Sequence, residues 1–485
     1  MGDVRRQTLS GVKWSAIERL AIQGMQFVIG LVLARLLSPD DFGLVGMIAI
    51  LLSVSQTLID SGFSNALVRK QDRSQVDCST AFYFNVAVGI VLVVIMYFIS
   101  PWIALFFERQ ELVEITRAVS VVLLFNSLAV VQTALFTAAV DFKSQAHASI
   151  WATLFSGIVG ITCASCGMGV WALVWQSVCS AVVRCLVLWI SSKWLPSWIF
   201  SVKSFREMFS YGSKLMASGL LGVLYNHMST ILIGKFYTAS DLGYYTRGMH
   251  FANLPSVTVT GVLQRVTFPV LAKFQNDDEH LIRIYRKYIR FSSMFIFFAL
   301  CLLAALARPL VLFLLTEKWE PAVVYLQLFC LSALVTHIAQ INLNLLQVKG
   351  RSDLYLQLEV IKKTVSTLLL LCAVPFGVLA ICVSNLVYSQ ISLVVNTYYT
   401  GKLFHLGYWM QFKDFGGYLL MAVLSAVPVY FLGGLPIPSI AVLCIGAVVG
   451  CCVYGGILWI RKDGMFMEYV VLPVVKYYKN KIKKK

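Results

Sequence analysis

Charge is scarce in this chain, and what there is leans one way. Only 13% of the 485 residues are charged, with 23 Asp and Glu against 40 Lys and Arg. A soluble chain of this length needs about twice that share to cover its surface, so a water-soluble globular protein is excluded. Other absences narrow the function. No Gly-rich loop closes on Lys-Ser or Lys-Thr, which argues against ATP hydrolysis by this chain. The six histidines form no ligand-spaced cluster, and the polar connections are too short for a catalytic domain. An enzyme, a metal site and a bound cofactor are therefore not expected. Twelve cysteines are present, nearly all inside apolar runs where they act as small apolar residues. The Cys163-x-x-Cys166 pair has no second pair or His beside it. No basic-apolar-small cleavage pattern precedes the first apolar run, so the N-terminus is expected to be retained.

What fills the chain is hydrocarbon. Apolar residues make up 59% of it and the mean hydropathy is +0.78. The apolar runs are roughly 20 residues each, enough for a helix to cross about 30 Å of bilayer core. The pattern predicts an all-α polytopic membrane protein with about fourteen transmembrane helices. Their spans are 13 to 36, 42 to 63, 79 to 99, 116 to 137, 148 to 167, 170 to 190, 210 to 234, 248 to 270, 289 to 308, 322 to 347, 355 to 375, 377 to 399, 415 to 434 and 437 to 460.

Cytoplasmic connections are enriched in Lys and Arg. Basic clusters stand at Arg69-Lys70-Arg73, from Lys193 to Lys214, from Lys273 to Arg290 and from Arg461 to Lys485. This places both termini in the cytoplasm. The connection carrying Glu108, Glu111 and Glu114 then lies outside. The net charge of +17 sits at membrane edges, with no soluble aromatic-interleaved basic domain, so anionic membrane lipids are the expected partner and nucleic acid is not.

The sequence repeats itself. Ile29-Gly-Leu-Val-Leu-Ala-Arg35-Leu-Leu-Ser38-Pro39-Asp40-Asp41-Phe42-Gly43 has a diverged echo two hundred positions later, Thr230 to Tyr244, in which Lys235 takes the place of Arg35 and Asp241-Leu242-Gly243 that of Asp41-Phe42-Gly43. Likewise Gly169-Val170-Trp171-Ala172-Leu173 matches Gly377-Val378-Leu379-Ala380-Ile381. The two matches bracket six spans in each copy, and six is even, so the copies share one orientation and a cavity is expected between them. The domains expected are an N-terminal six-helix lobe (1–200), a C-terminal six-helix lobe (201–402), an accessory helix pair (403–460) and a basic tail (461–485).

Ionisable side chains inside spans cost roughly 2.5 to 3.5 kcal/mol each and mark watery interiors. The candidates are Glu18 and Arg19, with Gln23 and Gln26 on the same face as Arg19, then Asp60, Arg184, Arg265, Lys362 and Lys363. Their five cations all fall in the expected cytoplasmic half, which suits capture of an anion from inside. Arg supplies a planar fork for phosphate oxygens. Asn226 and His227 are candidates for sugar hydroxyls or for bonds to neighbouring helices. Gln340, Asn342, Asn344, Asn385 and Gln390 serve that role or bond neighbouring helices. The competing reading makes some of these cations structural ion pairs, such as Arg19 with Asp60. Lys362 and Lys363 are adjacent and cannot both face one cavity.

With these segments in view, the chain resembles the polysaccharide flippases of the multidrug, oligosaccharidyl-lipid and polysaccharide exporter superfamily, in the colanic acid and teichuronic acid exporter branch. The carrying residues are Gly11 to Ala16, Ala34 to Leu44, Gly62 to Val68, Asp141-Phe142-Lys143 and Ser240 to Tyr245. The resemblance implies two six-helix lobes in a V. It implies a bacterial inner-membrane flippase moving an undecaprenyl-diphosphate-linked oligosaccharide from the inner to the outer leaflet by alternating access, alongside polysaccharide polymerase and glycosyltransferases. Arg19 and Arg265 are the best matches for diphosphate binding. A peptidoglycan-precursor flippase, an ion-coupled multidrug antiporter and a multi-span polymerase or ligase are the alternatives. The deep charges are mainly basic, which disfavours the antiporter, and the external loops are short, which disfavours the polymerase or ligase.

Overall fold

The computed structural model describes residues 21–60 and 62–473, with side chains for all of these except 256–266, 268 and 269. The described chain is a succession of helices. They are α1 (Ala21–Leu36), α2 (Pro39–Asp60), α3 (Phe63–Arg69), α4 (Gln75–Phe107), α5 (Leu112–Ala138), α6 (Phe142–Ser165), α7 (Val170–Ser191), α8 (Val202–Phe236), α9 (Ala239–Lys273), α10 (Asp278–Ala305), α11 (Ala307–Leu315), α12 (Ala322–Ala333), α13 (Thr336–Val348), α14 (Ser352–Ala373), α15 (Val378–Phe404), α16 (Tyr408–Leu432) and α17 (Ser439–Ile460). Among the described residues, eleven spans are long and apolar enough to cross a membrane. The other three expected spans, around α1, α9 and α14, are helical too. α9 and α14 are more polar, and α1 is short within the described range. The count of fourteen is thus an upper reading of eleven clearly apolar spans.

The spans are not buried all round. Between 11% and 56% of the residues in each apolar window lie inside the protein, and large side chains such as Val94, Phe98 and Trp102 of α4 are exposed. Water would penalise such a surface, whereas hydrocarbon does not. This is a multi-pass membrane protein.

By internal contact the chain forms two compact units, Met1–Gly243 and Tyr244–Lys485. In the first, α4 pairs with α5 and α6 with α7, while α8 packs along α2. One core gathers Phe63, Leu67, Phe82, Val131 and Met208 where α3, α4, α5 and α8 meet. Another joins Leu33 of α1 and Leu37 just beyond its end to Ala172 and Leu173 of α7.

In the second unit, α10 is the axis. It packs on α12, α13 and α16, and Tyr454 of α17 donates to the Met294 carbonyl at 2.7 Å. A buried polar network fastens these helices. The Asn342 Oδ1 accepts from Tyr285 (2.8 Å), Thr400 (2.8 Å) and Gln411 (3.0 Å), and the Asn342 Nδ2 donates to the Ile338 carbonyl. His337 is buried against Phe297, its Nε2 bonded to the Ser293 hydroxyl at 3.1 Å. The hairpin α16–α17 thus packs directly on α10.

Candidate functional site

The repeated motif explains itself at atomic detail. In the first copy the Ser38 hydroxyl accepts from the Asp41 N–H (3.2 Å) while the Asp41 carboxylate accepts from the Ser38 N–H (2.8 Å) and hydroxyl (2.6 Å). In the second, Thr238 and Asp241 exchange the same three bonds at 3.1, 3.3 and 2.7 Å. Each is a capping box that starts a helix, α2 or α9. The two starts meet. A Cβ on Gly43 would sit 1.7 Å from the Ala239 carbonyl oxygen, and one on Gly243 would sit 2.1 Å from that of Pro39. Only glycine permits backbones this close. The α4–α5 turn straps both copies: Arg109 donates to Asp40 (3.2 Å for Nη1 to Oδ1) and Lys235 donates to Glu108 (2.8 Å). The Asp40 carboxylate beside Arg109 holds its guanidinium pKa above the ordinary value.

Of the predicted site residues, Asp60 and Arg184 lie within electrostatic reach of each other without forming an ion pair. Asp60 closes α2 and accepts from Gln56 at 3.1 Å, and Gln56 in turn accepts from Asn126 of α5 at 2.7 Å. Arg184 of α7 is exposed and near enough to attract Asp60 electrostatically. Gln56 and Asn126 were not singled out in the sequence. Their signal is weak, because uncharged amides in spans are common helix glue. Gly219 of α8 approaches Thr57, which seats α8 on α2 at this level. Asn226 and His227 lie two turns further along α8, exposed and half-buried respectively. Gln23 is half-buried and Gln26 exposed on α1.

These side chains share a property. Apart from Asp60, bonded to Gln56, none of them has a hydrogen bond among the described residues: not Arg184, Gln23, Gln26, Asn226 or His227. The second unit is the opposite. Lys362 is buried and donates to Glu359 at 2.5 Å in its own helix, an internal ion pair rather than an open cation. Lys363 is exposed on the other side of the same turn. Asn342 is fully used in helix packing, Asn344 is buried, and Asn385 meets the Tyr245 hydroxyl at 3.4 Å. Glu18 and Arg19 lie outside the described residues, as does the side chain of Arg265 within α9. The pairing of Arg19 with Asp60 falls there too. All twelve cysteines, Cys163 and Cys166 included, are free thiols.

Comparison with known proteins bears on this arrangement. The sequence signature of a family described as "Polysaccharide biosynthesis protein" matches residues 32–324, more than half of the chain. The chain belongs to that family. It is 27% identical over 380 residues to the lipopolysaccharide biosynthesis protein WzxC of Escherichia coli, covering 77% of this chain and 76% of that one. It is 27% identical over 357 residues to the teichuronic acid biosynthesis protein TuaB of Bacillus subtilis, covering 73% and 74%. Among solved structures, this family member superimposes on a lipid II flippase, MurJ, in an inward closed conformation, with a TM-score of 0.74 and 14% identity over 94% of this chain and all of that one. An inward-facing multidrug resistance transporter of the MATE family and MOP superfamily matches with a TM-score of 0.60 and 16% identity, covering 80% of this chain and 98% of that one. The fold is thus that of these transporters.

Proposed function

We propose that this protein carries an undecaprenyl-diphosphate-linked oligosaccharide from the cytoplasmic to the outer leaflet of the bacterial inner membrane by alternating access, for assembly of a surface polysaccharide. The observation that carries the reading is Arg184. A guanidinium within a hydrocarbon-depth helix, with no hydrogen-bond acceptor among the described residues, is costly unless it faces water or an anionic ligand. Its five donors match phosphate oxygens. Asp60 beside it, held by Gln56, keeps the empty site near neutrality and yields Arg184 to an arriving diphosphate. Gln23, Gln26, Asn226 and His227 offer unspent donors and acceptors for sugar hydroxyls. Arg19 and Arg265 complete the cationic set in this proposal.

The repeat supports two lobes, 1–200 and 201–402, with helices 403–460 accessory and the tail 461–485 basic. Both termini face the cytoplasm. Polymerase and glycosyltransferases are the natural neighbours of such a carrier, since its cargo must be built on one side and joined on the other.

The test is genetic complementation. Arg184→Ala, Arg19→Ala and Arg265→Ala are each expected to reduce surface polysaccharide at least about tenfold, the loss of one charge-assisted contact of about 1.5 to 3 kcal/mol, with protein levels near normal. Full export in all three variants would remove the diphosphate role.

A further inference from the structure

The strongest group of cations in the described chain lies elsewhere. Arg283, Arg286, Lys287 and Arg290 recur at three- and four-residue spacing and so share one face of α10. They line an open cavity of about 610 Å³ whose far wall is Tyr418 and the segment after α17. Two of them converge on one acid. Arg286 donates to the Asp414 carboxylate through Nε (2.7 Å) and Nη2 (2.8 Å), and Arg290 does so through Nε (2.8 Å) and also through Nη2. Asp414 is buried, with 1% of its side chain exposed, whereas Arg286 and Arg290 remain 33% and 43% exposed toward the cavity. Each therefore keeps an Nη1 group without an acceptor among the described residues. A third guanidinium, that of Arg461, lies close enough to Tyr418 of the cavity wall to act on it electrostatically, as Arg290 does. Gly417 lets it lie against α16, its Nη1 3.3 Å from where a Cβ would stand, and it too donates to no described acceptor. Arg286 and Arg290 share the Asp414 carboxylate, and with Arg461 set against Asp463 the group keeps a net excess of one positive charge.

The other cations at the rim are paired locally. Arg283 donates to Glu279 at 2.8 Å, Lys287 to Glu468 at 3.1 Å, and the Tyr418 hydroxyl to Asp463 at 2.9 Å. Lys287 also lies over the Tyr469 ring and borders a second hollow of about 290 Å³, walled by Ile284, Tyr288, Phe291 and Tyr469. A cationic bowl thus continues through Lys287 into an aromatic groove.

We propose that this is a binding site for an anionic glycerophospholipid, with its phosphodiester between Arg286, Arg290 and Arg461 and an acyl chain along Phe291 and Tyr469. The charge excess matches a phosphodiester, and the adjoining groove is what separates a lipid from a free phosphate. In the proposed orientation the site faces the inner leaflet. It stands independently of what the protein carries, and bound lipid would brace α10 against the α16–α17 hairpin.

The experiment uses the full-length protein in neutral detergent, with lipid retention read by native mass spectrometry. Phosphatidylglycerol is expected to be retained and phosphatidylcholine to be lost. Arg461→Ala, at an exposed position, and Arg290→Lys, which keeps a cation on Asp414 while removing the spare Nη1, should each weaken phosphatidylglycerol retention about tenfold. Arg184→Ala should not. Equal retention of the two lipids, unchanged retention in both variants, or displacement of phosphatidylglycerol by equimolar inorganic diphosphate would overturn the proposal.

Discussion

Asp41, Asp141 and Asp241 look at first like chemistry: each is an acid at a membrane edge, and each belongs to a segment that carries the family resemblance. All three are helix caps. Asp141 accepts from the Ser144 N–H at 3.1 Å, as Asp41 and Asp241 do within their boxes. Asp60, the acid proposed for the site, is distinguished by its neighbours Gln56 and Arg184 rather than by its position in a motif. Asn342 makes the same point from the other side. Its polarity within a span is compatible with substrate contact, yet three side chains on three other helices occupy its Oδ1. Asn342→Leu should strip those donors of their acceptor and cost about 2 kcal/mol. A melt of the detergent-solubilised protein is expected to show a lower Tm, and an unchanged Tm would mean the network contributes nothing to stability.

The starts of α2 and α9 are one device in two copies. The capping boxes were legible as a repeated Asp-x-Gly, but their mutual contact was not, because a two-hundred-residue offset says nothing about distance in space. Gly43→Val has no room against the Ala239 backbone and should cost roughly 1 to 3 kcal/mol and lower export, measured with a fluorescent C-terminal fusion reporting insertion in parallel. The strap is separately testable by charge exchange. Glu108→Lys and Lys235→Glu should each impair export, and the double exchange should restore it, since only the pair's sign matters. If the double variant is no better than the singles, the strap is incidental. The hydrogen bond from Lys235 holds the Glu108 carboxyl below the usual carboxylate value. A depressed carboxylate contributes its stabilisation above the unfolded value and loses it as pH falls through the folded one. The strap is therefore intact at neutral pH and released only in acid.

For the molecule as a whole, the distribution of basic loops sets a direction in the membrane. The turn between α9 and α10 holds the exposed residue Asn276. In a cysteine-free background, Asn276→Cys should resist a membrane-impermeant maleimide in intact cells and react in inverted vesicles. Labelling of intact cells would invert the map. The first compact unit leaves Arg184, Gln26 and Asn226 exposed, while the second ties Tyr285, Asn342, Thr400 and Gln411 into one buried network beside its open cationic cavity.

Read alone, the amino-acid order determined the solvent, the helical class, the duplication and the pool of candidate polar residues, because hydropathy and helix capping act over a few neighbouring positions. The folded chain alone decided which of those residues are already satisfied. Arg286 finds Asp414 across 128 positions and Asn342 finds Gln411 across 69. In hydrocarbon, where water cannot substitute for a missing partner, that pairing separates a group that holds helices together from one left free to hold a ligand.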